Sequence, residues 1–174
     1  MGVRPVLAGS FDEAAVIALG SNRAGHYSSR QTLLEAAVVA VAALGAHKRS
    51  SWWRSTAWPD PGQPDFLNGV MVVETALSPE ALLRVLQDIE IAFGRRPGPP
   101  NAARTLDLDL IAQGQAVIDR PGLILPHPRA HERRFVMGPL AEIVPDWRHP
   151  VLGQSAVVLA RLAKIGLDAE PWAS

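Results

Sequence analysis

The sequence contains no cysteine, which excludes disulfides, thiolate metal sites and thiol nucleophiles and suits a reducing compartment. It carries no excess charge either, since 17 Lys and Arg offset 17 Asp and Glu. Without a net field there is no general attraction for nucleic acid or an anionic membrane, so an anionic ligand must be held by a local group of arginines. Long apolar runs are also missing. None approaches the ~20 residues that cross a bilayer, and the opening dozen residues lack the apolar stretch of a secretory signal. These absences lead to an expectation of a cytoplasmic protein that binds neither membrane nor nucleic acid. What is present is globular material: 174 residues, 48% apolar and 20% charged, enough for one domain with its own core.

Residues 1–12 carry Pro, two Gly and no sustained period, and read as a loose tail ahead of a single domain over 13–174. Ala14–Leu19 is a short apolar run closed by Gly20-Ser21-Asn22, the pattern of a buried strand entering a turn. Thr32–Leu44 has helical apolar spacing. Lys48–Ser55 suits a second strand, and Pro59, Pro61, Gly62 and Pro64 then impose an irregular loop. Phe66–Thr75 is apolar on both faces of a strand. Ser78-Pro79-Glu80 starts a helix, with Ser as cap and Pro at the first helical position; this helix buries Leu82, Leu86, Ile89 and Phe93 and ends at Gly94. Thr105–Ile111 alternates as a strand, and helical stretches follow over Phe135–Glu142 and Ser155–Lys164. The order strand, helix, strand, strand, helix, strand implies an α+β, ferredoxin-like βαββαβ sandwich. Its antiparallel sheet would carry both helices on one face, with C-terminal additions.

The sharpest local signal is Arg104-Thr105-Leu106-Asp107-Leu108-Asp109-Leu110. On a strand the three leucines share the buried face, while Asp107 and Asp109 lie on the opposite one, about 7 Å apart. Hard oxygen ligands with no Cys or His beside them favour Mg2+ over zinc. The competing reading is a solvated strand face. Against it, Asp is depleted in strands and neighbouring like charges repel, so a positive partner is required. Arg95 and Arg96 open the Pro/Gly-rich loop and Arg104 closes it, bringing three guanidiniums towards the acidic strand. Such anion clamps beside a divalent-cation site are what phosphoryl transfer requires.

Pro126-His127-Pro128 holds an imidazole in a stiff segment, followed by Arg133 and Arg134, one of which reads as simply solvated. Gln87 and Glu90 share a helix face that reads first as ordinary polar surface. Phe66 and Asn68 share one strand face, where a buried Asn needs partners that a ligand amide could supply. The Gly20-Ser21-Asn22 turn reads as a strand-to-helix connection with a cap rather than a ligand contact.

Together, Ala18-Leu19-Gly20-Ser21-Asn22, Gln63-Pro64-Asp65-Phe66-Leu67-Asn68, Glu90 to Arg95, Arg104 to Asp109, Pro126-His127-Pro128 and Arg133-Arg134-Phe135 resemble the 6-hydroxymethyl-7,8-dihydropterin pyrophosphokinase family, in family order over residues 14 to 150. The resemblance implies transfer of the β,γ-pyrophosphoryl group of ATP to the hydroxymethyl group of a reduced pterin, releasing AMP; these two small molecules are the expected partners, and the chain is expected to be a monomer. It implies two Mg2+ ions on Asp107 and Asp109, with Arg95 and Arg104 on a lid that closes over the reaction. Ser55, Phe66, Asn68 and Phe135 would serve the pterin, Phe66 and Phe135 at its ring and the Ser55–Trp58 loop through its backbone. Gln87, Glu90, Arg95, Arg104, His127 and Arg133 would serve ATP. The sequence departs from the family at Pro97, where a further lid Arg is expected, and at Asn101-Ala102-Ala103, where an aromatic-Gly-Pro is common. A rival expectation is a non-catalytic ferredoxin-like module that binds a small ligand or RNA; its RNA form should show a basic strand face with exposed aromatics, and here the candidate face carries carboxylates.

Overall fold

The computed structural model describes residues 13–99 and 105–173. The tail read over 1–12, the loop positions Asn101, Ala102 and Ala103, and Arg104 all lie outside the described residues. The elements run β1 (Ala15–Ser21), α1 (Arg30–Ala42), β2 (His47–Arg49), β3 (Trp53–Ser55), β4 (Phe66–Val73), α2 (Pro79–Ala92), β5 (Asp107–Gln113), β6 (Ile118–Arg120), β7 (Leu123–Leu125), α3 (Arg134–Ile143), α4 (Ala156–Leu162) and β8 (Glu170–Pro171), with a 3-10 turn at Ala130–Glu132. The main sheet has the order β5-β1-β4-β3-β8, with β2 also pairing with β4, and every pair in it is antiparallel. β6 and β7 form a separate hairpin. No helix among the described residues is long and apolar enough to cross a membrane.

Both helix starts follow local chemistry. The Ser78 hydroxyl accepts from the Ala81 N–H with Pro79 in the first turn, and Ser29 accepts from Thr32 N–H at the head of α1, each satisfying a donor that the helix itself leaves over. The turn after β1 does not cap α1. Asn22 instead reaches across to Gln63 Oε1 and Pro64 O, at 3.3 and 3.2 Å, and ties the end of β1 to the Pro-rich loop. The strand expected over Lys48–Ser55 is two strands. Arg49 faces Met71 and Trp53 faces Asn68, so four steps on one side match three on β4, and the extra residue makes a bulge. Ser50 Oγ accepts from the Val70 N–H within that break, keeping the central strand satisfied.

The sheet is covered on both faces. One apolar cluster joins Leu33, Leu34, Ala37 and Val41 of α1 and Leu82 and Leu86 of α2 to Ile17, Leu19, Leu67, Met71, Leu108 and Leu110. α1 and α2 therefore share a face, as the element order implied. A second cluster packs Val136, Met137 and Leu140 of α3 and Ala156 and Leu159 of α4 on Val16, Val70, Val72, Ile111 and Ala112. A register shift between Val16 and Ile17 turns both Ile111 and Ala112 to this second face, whereas Asp107 and Asp109, earlier on the same strand, keep plain alternation and share it. This double covering explains why β4 is apolar on both sides.

α3 lies so close to β3 that an added Cβ at Gly138 would stand 2.7 Å from the Trp53 ring. Trp53 cannot turn aside, because its Nε1 donates to Glu142 at 2.9 Å. Helix propensity alone would make Gly138→Ala stabilising by up to about 1 kcal/mol. Packing reverses the sign, and a loss of about 1–3 kcal/mol is expected from forced separation of α3 and β3. Urea unfolding checks this; a raised midpoint would show that the contact is loose.

Candidate active site

The site occupies the second face of the sheet, beyond the N-terminal end of α3. Three strands supply its floor. Gly20 in the central β1 faces Asn68 on one neighbour and Asp107 on the other, and Ala18 lies between Val70 and Asp109 in the same way. Small residues in the middle leave space between an amide on one side and two carboxylates on the other. A Cβ on Gly20 would lie 3.3 Å from Asn68 Oδ1 and 3.6 Å from Phe66. The resulting cavity, about 300 Å³, is lined by Gly20, Ser55, Phe66, Asn68, Asp107 and Asp109 from the sheet, and by His127, Arg133 and Phe135 from the segment leading into α3. Trp58, Asp60 and Gln63 of the Pro-rich loop complete the wall.

The walls are held by identifiable contacts. Asn68, 6% exposed, donates through Nδ2 to Ser55 Oγ at 2.9 Å, which fixes the direction of its amide. The His127 N–H donates to Ile111 O at 2.7 Å, hooking the Pro126–Pro128 segment to β5. The Arg129 N–H donates to His127 Nδ1 at 3.1 Å, so in the neutral ring Nε2 carries the proton. Burial, with Arg133 adding to it, lowers the His127 pKa to about 4, and the imidazole is neutral at pH 7. The Arg133 guanidinium lies over both Trp58 and Phe135, 5.8 and 5.9 Å from the ring centres. Burial weakens its hold on the proton and Asp109 strengthens it; an arginine stays charged through such opposing effects.

Glu90 is 4% exposed, so the helix face it shares with exposed Gln87 is not the ordinary polar surface expected for the pair. Its carboxylate accepts from the Leu108 N–H at 2.7 Å and from Arg95 at 2.5 Å. It thus clamps α2 to the backbone between the two aspartates, and burial raises its pKa. Arg95 also lies 3.5 Å from Asp107. The positive partner demanded by the aspartates is therefore present at Arg95, with Arg133 on the other side. Gln87, Glu90 and Arg95 stand outside the cavity lining. One of Arg133 and Arg134 was expected to be simply solvated; both are half-buried, and Arg134 donates to Ala169 O at 3.2 Å.

Gly20 forms part of the cavity wall although the turn that it opens reads in sequence as a simple connection. The missed signal is its strand position, opposite two functional rows at once, and pairing register is not visible in a single sequence. Trp58 was missed as a side chain, although an aromatic among three prolines in a polar loop is conspicuous. No group of three or more carboxylate or imidazole ligands gathers among the described residues. A pair of aspartates opening into a cavity fits a hard ion such as Mg2+, which takes one or two protein carboxylates and completes its shell with water and substrate phosphates.

The family model of 7,8-dihydro-6-hydroxymethylpterin-pyrophosphokinase (HPPK) matches residues 16–145. A 2-amino-4-hydroxy-6-hydroxymethyldihydropteridine pyrophosphokinase of Synechocystis sp. is 41% identical over 145 residues, 83% of this chain and 73% of the relative. One from Methylorubrum extorquens is 37% identical over 163 residues, 88% of this chain and 96% of the relative. Among solved structures, the wild-type HPPK-DHPS of Plasmodium falciparum superposes with a TM-score of 0.67 at 15% identity, covering 85% of this chain and 44% of that one, a likeness of fold.

His127 sets a pH dependence of stability. An imidazole in the unfolded chain takes up a proton near 6.5, and the folded one only near 4. Between those values the unfolded state binds more protons, so stability falls as pH is lowered through the window; above it His127 has no such effect. His127→Gln should therefore lose less melting temperature than the wild type between about pH 7 and about pH 4.5. Scanning calorimetry of both proteins tests this, and equal losses would mean that the ring is not held neutral.

Proposed function

Because the chain belongs to the 7,8-dihydro-6-hydroxymethylpterin-pyrophosphokinase family, whose members transfer a pyrophosphoryl group to a hydroxymethyldihydropterin in folate synthesis, we propose that it takes the β,γ-pyrophosphoryl group from ATP in a Mg2+-dependent reaction that releases AMP. The observation that carries this reading is the meeting in one cavity of the aspartate pair with Asn68 and the aromatic rings. One end suits polyphosphate and its cation, and the other suits a flat polar heterocycle.

In this reading Asn68, its amide turned by Ser55, hydrogen-bonds the pterin edge while Phe66 and Phe135 border the ring. That places the hydroxymethyl oxygen near Asp107. The hydroxymethyl oxygen would attack the β-phosphorus and give up its proton to solvent, forming the new P–O bond as the bond from that phosphorus to the bridging oxygen breaks, and the bridging oxygen leaves with AMP. Asp107 and Asp109 would hold two Mg2+ ions, which when bound neutralise the phosphate charge and orient the chain of phosphates. His127 Nε2–H and Arg133 donate to phosphate oxygens, and Arg95 exchanges its contact with Asp107 for the transferred group. Gln87, Glu90 and Arg104 belong to the nucleotide side, with Glu90 acting through Arg95 and Leu108. Arg95 and Arg104 close over the reaction as a lid. The strand order β5-β1-β4-β3 with α1 and α2 on one face supports a ferredoxin-like arrangement, and the packing of α3 and α4 on the same sheet supports one domain over 13–174. A cytoplasmic monomer completes the reading, one that binds no nucleic acid, for which the zero net charge provides no general attraction.

The test is a product assay with ATP and the reduced pterin, in which AMP is expected; ADP would indicate an ordinary kinase and overturn the reading. Asp107→Asn and Asp109→Asn should each remain folded and lose activity by two orders of magnitude or more, about 3 kcal/mol of transition-state stabilisation. Near-normal turnover by both variants would remove the metal assignment.

A further inference from the structure

We propose that Asp168 is a positioning residue for the acceptor substrate: it fixes the peptide between Ser55 and Thr56 and so aims the Ser55 hydroxyl at Asn68. The inference rests on the pterin reading above. Asp168 lies past residue 145, where the family match ends, and it is not in the cavity lining. It acts from behind the wall.

Asp168 Oδ2 accepts from the Thr56 N–H at 2.8 Å and from the Thr56 hydroxyl at 2.5 Å. The hydroxyl bond, before any other cause, holds the Asp168 carboxyl below the usual carboxylate range, so both donors meet an anion at pH 7. The Thr56 N–H belongs to the same planar unit as the Ser55 carbonyl. Holding that unit fixes the backbone from which the Ser55 side chain projects. Ser55 is buried, and its hydroxyl accepts from Asn68 Nδ2 at 2.9 Å. A continuous path thus runs from an exposed carboxylate to the amide at the heterocycle end of the cavity.

Two bonds to an exposed carboxylate on a free loop achieve little, because ordering the group offsets them. Asp168 is on a strap, residues 164–172, that its own backbone bonds tie down on both sides of the cavity. On one side the Lys164 and Ile165 N–H groups donate to Glu132 O at 2.9 and 3.0 Å, and the Arg134 N–H donates to Ile165 O at 2.9 Å. Arg134 Nε reaches Ala169 O as well. On the other side Glu170 and Pro171 pair with Arg54 and Trp53, and the Trp172 N–H donates to Trp52 O at 2.8 Å. The first set of anchors borders Arg133 and Phe135, the second Ser55 and Thr56, and all four line the cavity. Asp168 stands between the two sets.

The phosphate end is held by other means. Asp107 and Asp109 stand on β5, which is located by its ladder to β1 and by the bond from Leu108 N–H to Glu90. Loss of the Asp168 carboxylate should therefore be felt at Asn68 and spare the aspartates.

Calorimetric titration of the whole chain with 6-hydroxymethyl-7,8-dihydropterin, at saturating non-hydrolysable ATP analogue, tests this. Asp168→Ala should weaken pterin affinity about tenfold, the lower end of what is lost when a partner that orients a ligand-binding group is removed. Asp168→Asn retains an oxygen for both donors and should stay within about threefold of wild type. In steady-state assays the loss in Asp168→Ala should fall on the pterin KM, with kcat and the ATP KM little changed. Unchanged pterin affinity in Asp168→Ala, with a lower melting temperature as its sole effect, overturns the proposal and leaves Asp168 a surface cap. A loss that falls on ATP overturns it too. Hydrogen exchange of the wild type adds a check that needs no variant: the Thr56 amide should be protected, and free exchange there would remove the first link of the path. Wild-type protein that binds no pterin overturns the functional reading itself, which separates the two failures.

Discussion

The site depends on the pairing of Gly20 with Asn68 on one side and Asp107 on the other. A central strand whose two faces are both covered normally fills every inward position with an apolar side chain. Here β1 does so at Val16, Ile17 and Leu19, then leaves the second face nearly bare at Ala18 and Gly20. The gap lies beyond the N-terminal end of α3, so the apolar layer stops where the polar groups begin. Amide and carboxylates thus sit one strand apart from Gly20 in opposite directions, at a spacing set by backbone hydrogen bonds. Side chains on ladders are more firmly located than side chains on loops, and that suits a reaction in which misplacement by an ångström is costly.

Charge is arranged around the same row. Asp107 and Asp109 share a strand face and Glu90 is buried one layer away, so three carboxylates lie near one another. Their mutual repulsion is relieved locally: Glu90 by the Leu108 N–H and Arg95, Asp107 by Arg95, and Asp109 by the nearby charge of Arg133. His127 adds no positive charge at pH 7, because burial and Arg133 keep its ring neutral. It offers a proton on Nε2 without competing as a cation. The cluster is compensated by arginines that can exchange a carboxylate for a phosphate oxygen at little electrostatic cost, a property that the proposed binding of a polyphosphate with its cation would need.

How much of this was legible in the sequence depended on whether the signal was local. The alternation through Leu106, Asp107, Leu108, Asp109 and Leu110 placed the aspartates on one face, and the structure has them there. Ser78-Pro79 placed the start of α2, and β4 read as apolar on both faces, although the covering of its second face by α3 and α4 was not drawn from that. What failed was whatever depended on pairing. Glu90 read as polar surface because its partners, Leu108 and Arg95, are set by how α2 lies on β5. The break between β2 and β3 arises from a register mismatch against β4, which no property of Ser50-Ser51-Trp52 announces. One of Arg133 and Arg134 read as solvated because the partner of Arg134, Ala169, is 35 residues away.

Ala169 belongs to a stretch that lies past the family match, which ends at residue 145, yet this stretch holds much of the site in place. Asp168 takes both donors of Thr56, fixing the base of the arm that carries Trp58. Gly166 lies against Phe135 so closely that a Cβ would stand 2.4 Å from the ring, and Trp172 N–H donates to Trp52 O as β8 extends the sheet beside β3. One short segment thus touches the elements that bear Ser55, Trp58, Arg133 and Phe135. The floor of the cavity is fixed by the strand ladder within the family's common region, whereas the orientation of its aromatic walls is fixed from outside that region. The aspartate row and the wall at Phe135 are therefore set by different parts of the chain, the first by backbone pairing within the sheet and the second by the packing of Gly166 against the ring.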